Sequence, residues 1–99
     1  MADKRPGEPL PVYAEWWAAT VACSGRTGDM SRIVWFTAYT IRSGENLGRG
    51  LWREPHEIVI VRHYVDDERT VRHEMLHDLL NGDPGHTGKA WATCDLIFK

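Results

Sequence analysis

Val12, Tyr13, Trp16, Trp17, Thr20, Val21 and Cys23 recur at close to helical spacing, predicting about three turns that stop at Ser24 and Gly25. After a loop through Asp29, the run from Arg32 to Ile41 is β-branched and aromatic with no proline or glycine, and reads as one strand. A turn at Ser43 to Asn46 leads into Gly48 to Pro55, whose glycines and proline predict irregular chain or a short edge strand. His56 to His63 carries a four-residue apolar run, Ile58 to Val61, and reads as a second strand. Asp66 and Asp67 are cap-like residues for a helix from Glu68 to about Leu80. On it, Val71, Met75 and Leu79 share a side that Leu76 and Leu80 extend, while His73, Glu74 and His77 lie on the adjoining face. Asn81-Gly82 stops that helix, Asp83 to Gly85 turns the chain, and a last helical segment is predicted from about Gly88 to Ile97.

These elements make an α+β domain spanning 12–99, with an N-terminal backing helix, a small sheet, a site-bearing helix and a short C-terminal helix. Residues 1–11 are rich in proline and charge, lack periodicity, and read as a flexible or extended arm. At 99 residues there is room for one core and no second domain.

The chemistry concentrates at His73-Glu-Met-Leu-His77. Histidines at i and i+4 of a helix present both imidazoles to one metal ion, and Glu74 between them faces the same cleft as a candidate general base. A catalytic zinc takes three protein ligands, so one more is needed. His86 is the best candidate, because the helix stop and turn at 81–85 can fold it back beneath the metal. Asp83 is the fallback ligand; Asp78 points away from the metal, and Glu68 is too far back along the helix. His63 or Tyr64 is a candidate donor to an oxyanion, against a plain surface role. The expected cofactor is therefore Zn2+, held by His73, His77 and His86 and serving a zinc-dependent peptidase. A zinc-stabilised binding or structural module without catalysis is the alternative, and a metal-free, disulfide-linked interaction domain is a third.

Composition narrows the partners. Apolar residues are 42% and charged residues 26%, ordinary for a folded globular protein, and a net charge of −2 supplies no basic footprint for nucleic acid. No apolar run reaches membrane-spanning length, so the expected partner is a peptide or protein substrate, met by a monomer. Cys23 and Cys94 have no zinc-site spacing; they are two buried thiols or a disulfide between the first helix and the last segment. A disulfide implies a secreted or periplasmic protein. Otherwise the start, which lacks an apolar signal-peptide core, implies a cytoplasmic one.

The stretch from His73 to Trp91 resembles the zincin metallopeptidases of the SprT-like and WLM-like kind, in which a His-Glu-x-x-His helix precedes a third histidine and then an aromatic residue. The resemblance implies zinc at His73, His77 and His86, Glu74 as general base, and Trp91 packing the final helix behind the site. It also implies that a sheet edge, Gly48 to Arg53 or the strand from His56, pairs with an extended substrate. Two departures are visible. Trp91 lies one position further from His86 than is usual there, and the sequence is shorter than most members. The metzincin pattern is absent, since Asp83 stands at its third-ligand position and no methionine follows the site.

Overall fold

Trp35, Ile58 and Ile60 on one face of a sheet meet Val71, Met75 and Leu79 on one stripe of a helix, and Tyr13 and Trp17 close the same core. A computed structural model describes residues 1–97; the last two positions of the domain drawn as 12–99 lie outside the described residues. In sequence order the elements are β1 (Arg5–Pro6), α1 (Tyr13–Ser24), β2 (Val34–Ala38), β3 (Ile41–Ser43), β4 (Asn46–Gly48), β5 (Gly50–Arg53), β6 (Glu57–Val61), α2 (Glu68–Leu80) and α3 (Lys89–Thr93). The architecture is α+β, with three helices and a small mixed sheet.

The four-stranded sheet has the order β1-β2-β6-β5. β2 and β6 are parallel, while β1 and β5 add antiparallel on the two outer sides. β6 is thus central and buried on both faces: Ile58 and Ile60 face the helices, and Val59 and Val61 face Ala38 and Ile41. Double burial explains why Ile58 to Val61 is an unbroken apolar run with no polar alternation. β5 is left as an edge strand beside α2.

Two expectations need correction, and a third is narrowed. The run from Arg32 to Ile41 is not one strand: it opens with a 3₁₀ turn at Met30–Arg32, pairs with β6 only from Val34 to Ala38, and restarts as the β3–β4 hairpin. The cause is its central partner, because β6 turns into a 3₁₀ segment at Arg62–Tyr64 and leaves no parallel pairing beyond Ala38↔Val61; past it the chain keeps a single bridge to the arm, Ala2↔Thr40. The arm expected to be flexible or extended is extended and held: Arg5 and Pro6 pair with Thr37 and Phe36, and Gly7 N–H donates to the Trp35 carbonyl at 2.9 Å. Finally, α3 ends at Thr93 rather than near Ile97. Asp95 takes a left-handed conformation (φ 56°), and Leu96 N–H turns back to the Trp91 carbonyl.

Cys23 and Cys94 lie at disulfide distance with Cα atoms 5.3 Å apart, joining the end of α1 to the turn after α3. Leu76, Trp91 and Leu96 pack beside this junction as a separate small core. Among the described residues, no helix is long and apolar enough to cross a membrane.

Candidate metal centre

Both ends of α2 are set by local chemistry. The Asp67 carboxylate accepts the Thr70 amide N–H at 3.2 Å, capping the first turn, and Asn81 ends the helix in a left-handed conformation (φ 54°). With those ends fixed, one stripe of α2 packs on the sheet and another on Trp91 and Leu96. His73, Glu74 and His77 emerge between the two stripes, each less than 9% exposed.

Each helical histidine is oriented through its inner nitrogen. His73 Nδ1 donates to the Leu96 carbonyl at 2.7 Å, and His77 Nδ1 donates to the Gly82 carbonyl at 2.8 Å. A carbonyl can only accept, so both Nδ1 atoms carry the proton and both Nε2 atoms turn lone pairs into the cleft. Burial pushes His73 down to about 4 and lowers His77 as well, keeping both rings neutral at neutral pH.

The third imidazole arrives by a strained turn. Asp83 and His86 both have positive φ, 61° and 55°. The Asp83 carboxylate organises that turn, accepting from Thr87 N–H at 3.1 Å, Gly88 N–H at 2.9 Å and the Trp91 indole at 2.8 Å. These donors hold its carboxyl well below the usual carboxylate range. Asp83 is therefore engaged in shaping the loop and is not among the converging ligand atoms.

His86 Nε2 lies 3.1 Å from His77 Nε2 and 3.2 Å from His73 Nε2. Three nitrogens at tetrahedral corners about 2.0–2.1 Å from zinc would stand roughly 3.3 Å apart. A proton on His86 Nε2 can satisfy only one neighbour, leaving the other lone pair facing it without a hydrogen. A cation satisfies all three, so the donor set fits a metal. Among the described residues, no other His, Cys, Asp or Glu joins this group. No family model, curated protein or solved structure matches the sequence, so the reading of the site rests on this geometry.

Trp91 is fully buried beneath the cluster, its ring centroid 4.8, 4.6 and 4.6 Å from those of His73, His77 and His86. It closes the back of the site against water. The three imidazoles open instead on a cleft of about 530 Å³ that Gly50 to Glu54, Glu74 and Pro84 also line.

Glu74 lies between this cleft and the edge strand, and burial pushes its carboxyl up to about 8. Gly50 makes its place: a Cβ there would fall 2.9 Å from Glu74 Cγ. Two residues along β5, Trp52 lies nearly parallel to the His77 ring, with centroids 6.4 Å apart.

The other sequence candidates fall elsewhere. His63 is exposed and edge-on to Tyr64, Tyr64 lies beneath the Arg49 guanidinium, and neither lines the cleft with Glu74. Glu68 pairs with Arg72. Asp78 does not join the three histidines, and sequence reasoning missed its role. It is fully buried and accepts from Arg32 Nε at 3.0 Å, Trp52 Nε1 at 3.0 Å and His56 Nδ1 at 2.9 Å. This tie joins α2 to Trp52 of β5, which lines the cleft, and to His56 just before β6. One signal was available: Asp78 continues the Val71, Met75 spacing onto the sheet-facing side, where an acid must find donors.

Substituting His86 by Ala is expected to weaken zinc binding more than about 100-fold, since even outer-sphere changes at such sites cost about 10- to 100-fold. Competition titration against a chromophoric chelator measures this, and unchanged affinity would remove His86 from the ligand set.

Proposed function

We propose that the protein is a zinc-dependent peptidase of the zincin kind, with His73, His77 and His86 as ligands and Glu74 as general base. The observation that carries this reading is the convergence of three Nε2 atoms, 3.1 and 3.2 Å apart, on a cleft that Glu74 also lines. His73, His77 and His86 would hold the zinc, which when bound would supply a Lewis acid that makes water a nucleophile near neutral pH. Burial alone favours the protonated form of Glu74, and a cation held by the three histidines would favour its carboxylate, which would then take the proton from the attacking water and return it to the departing amine. A substrate comes to this base by strand addition. β5 is hydrogen-bonded to β6 on one side only, and Gly50 to Glu54 line the cleft with its other side available to an extended peptide.

The alternative, a zinc-stabilised module without turnover, draws on the small core around Trp91, where the ligands would clamp α2 to the segment ending at Leu96. Against it stand the open side of the cluster and the glycine that accommodates Glu74, neither of which a closed structural site requires. The cysteines at disulfide distance support an oxidising compartment, secreted or periplasmic. Metal analysis together with cleavage of a broad peptide library by the wild type tests the proposal; a zinc-loaded protein that cleaves nothing would favour the structural module.

Gly50→Ala isolates the placement of the base. The new methyl group displaces Glu74, and a shift of about 1 Å in a reacting group costs on the order of 100-fold in rate. The expected result is that loss in kcat/KM with zinc stoichiometry unchanged. Full activity in the variant would mean that Glu74 need not occupy this position against β5.

A further inference from the structure

Cys94 lies two residues before Leu96, whose carbonyl accepts the His73 Nδ1 proton at 2.7 Å. Between them Asp95 takes a left-handed conformation, and Leu96 N–H returns to the Trp91 carbonyl at 3.0 Å. The carbonyl that orients His73 thus ends a tight turn, and Cys23 ties that turn to α1. The linked residues are 71 positions apart, so the linkage restricts the chain far more than a contact between neighbours. The remaining holds on the turn are lesser ones. Arg69 reaches Asp95 at 3.3 Å, but the Asp95 side chain is 89% exposed, and an ion pair so open to solvent adds little. Leu96 packs on Leu76 and Trp91, and the Ile97 carbonyl accepts from Arg69 at 2.8 Å.

The pair is also within reach of a small thiol. Cys94 lines a surface recess of about 340 Å³ between the start of α2 and the turn after α3. Cys23 is half-buried, and the Arg72 guanidinium stands 3.5 Å from its sulfur. A cation in that place favours departure of the Cys23 sulfur as a thiolate. Arg72 is the residue before His73, so the same helix turn carries the ligand and the cation beside the linkage.

Resting on the metal-site half of the peptidase reading, we propose that Cys23 and Cys94 form a redox switch for the metal centre, opened by a dithiol reductant. Linked, they hold the Leu96 carbonyl behind His73; opened, they release it, and zinc affinity falls. In the opening step a thiolate of the reductant attacks Cys94 Sγ and forms a mixed disulfide. The bond to Cys23 breaks, and its electron pair leaves on Cys23 Sγ beside Arg72. The reductant's second thiolate then displaces Cys94 Sγ. The two electrons and two protons that the pair gains come from the dithiol, which is left as a disulfide. Two thiols cannot approach as closely as two bonded sulfurs, so the turn shifts from α1 and carries the Leu96 carbonyl with it. Loss of such an outer partner costs about 10- to 100-fold in metal affinity. His77 is the internal control, because its partner, the Gly82 carbonyl at 2.8 Å, belongs to the stop of α2 and not to the turn that Cys94 anchors. The centre is thereby competent only where disulfides form.

The test compares three forms: oxidised wild type, wild type reduced by a dithiol and then freed of it without air, and the double variant Cys23→Ser, Cys94→Ser. The double variant supplies the open state without thiols that could themselves bind zinc. Competition titration against a chromophoric chelator is expected to show zinc held about 10- to 100-fold more weakly by both open forms than by the oxidised one. Nitrogen NMR of the metal-free proteins reads the rings. His73 is expected as the Nδ1–H tautomer when the cysteines are linked and as a mixture when they are not, while His77 stays Nδ1–H throughout. Reoxidising the reduced wild type should restore both readings. Affinities within about twofold of one another overturn the switch, and so does an equal change at both rings. Loss of the helical circular-dichroism signal on reduction also overturns it, since the bond would then be a staple of the whole domain. Zinc bound alike in every form refutes the switch and keeps the metal reading, whereas no zinc in any form refutes both. Redox-dependent affinity without peptide cleavage keeps the switch and refutes the peptidase.

Discussion

Replacing Glu74 by Gln is expected to lower kcat/KM by about 10²- to 10⁴-fold, the usual contribution of a positioned general base, while zinc remains bound. The change is isosteric, so the side chain still fits against Gly50, where there is no room to spare. Metal retention follows from the ligand set: the three converging Nε2 atoms belong to His73, His77 and His86, and Glu74 contributes none of them. The variant keeps the cleft and the metal and loses only the atom that accepts a proton. Parallel measurements of zinc content and peptide turnover separate the outcomes. Loss of the metal would make Glu74 a ligand or structural group, and undiminished turnover would remove it from the chemistry.

The largest effect on stability is expected at Asp78. Asp78→Ala leaves the Arg32 guanidinium, the Trp52 indole and the His56 ring without their shared acceptor, and Arg32 also loses its ion pair. Removing one partner of a buried ion pair costs about 3–5 kcal/mol; Arg32 is one-third exposed and can recover some hydration, so about 3 kcal/mol is expected. That is a large share of the roughly 5–15 kcal/mol that holds a domain of this size together. Asp78→Asn should rescue in part, because its amide oxygen can still accept from Trp52 and His56 while its NH2 faces the Arg32 guanidinium. Urea unfolding of the metal-free proteins reads the difference, and a loss below about 1 kcal/mol would show the carboxylate to be expendable. A further consequence concerns the site: Trp52, no longer tied to Asp78, loses its fixed place beside His77 and the cleft edge.

The two residues differ in how far each was legible. Glu74 was visible from the letters around it, because the spacing i, i+1 and i+4 of His73, Glu74 and His77 on one helix is a local fact. The helix itself was equally legible, from the Asp67 cap to the Asn81 stop, since a cap and a left-handed end each involve a few neighbouring residues. His86 could be nominated from the turn before it. That its Nε2 meets the other two depends on Asp83, the fallback ligand, whose carboxylate shapes the turn instead of binding metal.

What the sequence determined by itself is therefore the apolar stripes, the ends of α2, the run that becomes β6, and the residue types able to hold a metal. Each is written in spacings shorter than one element. Tertiary structure alone decided that β2 stops at Ala38, where β6 turns away; that the arm joins the sheet edge; that α3 ends early, with Leu96 turned to hold His73; and that Gly50 accommodates Glu74. It also decided the role of Asp78, whose partners lie 46, 26 and 22 positions away. The physical reason is common to all of these. A period along the sequence says which face a residue occupies, but a buried polar group or strand edge is satisfied only by whatever the fold brings opposite it, and those partners come from distant segments.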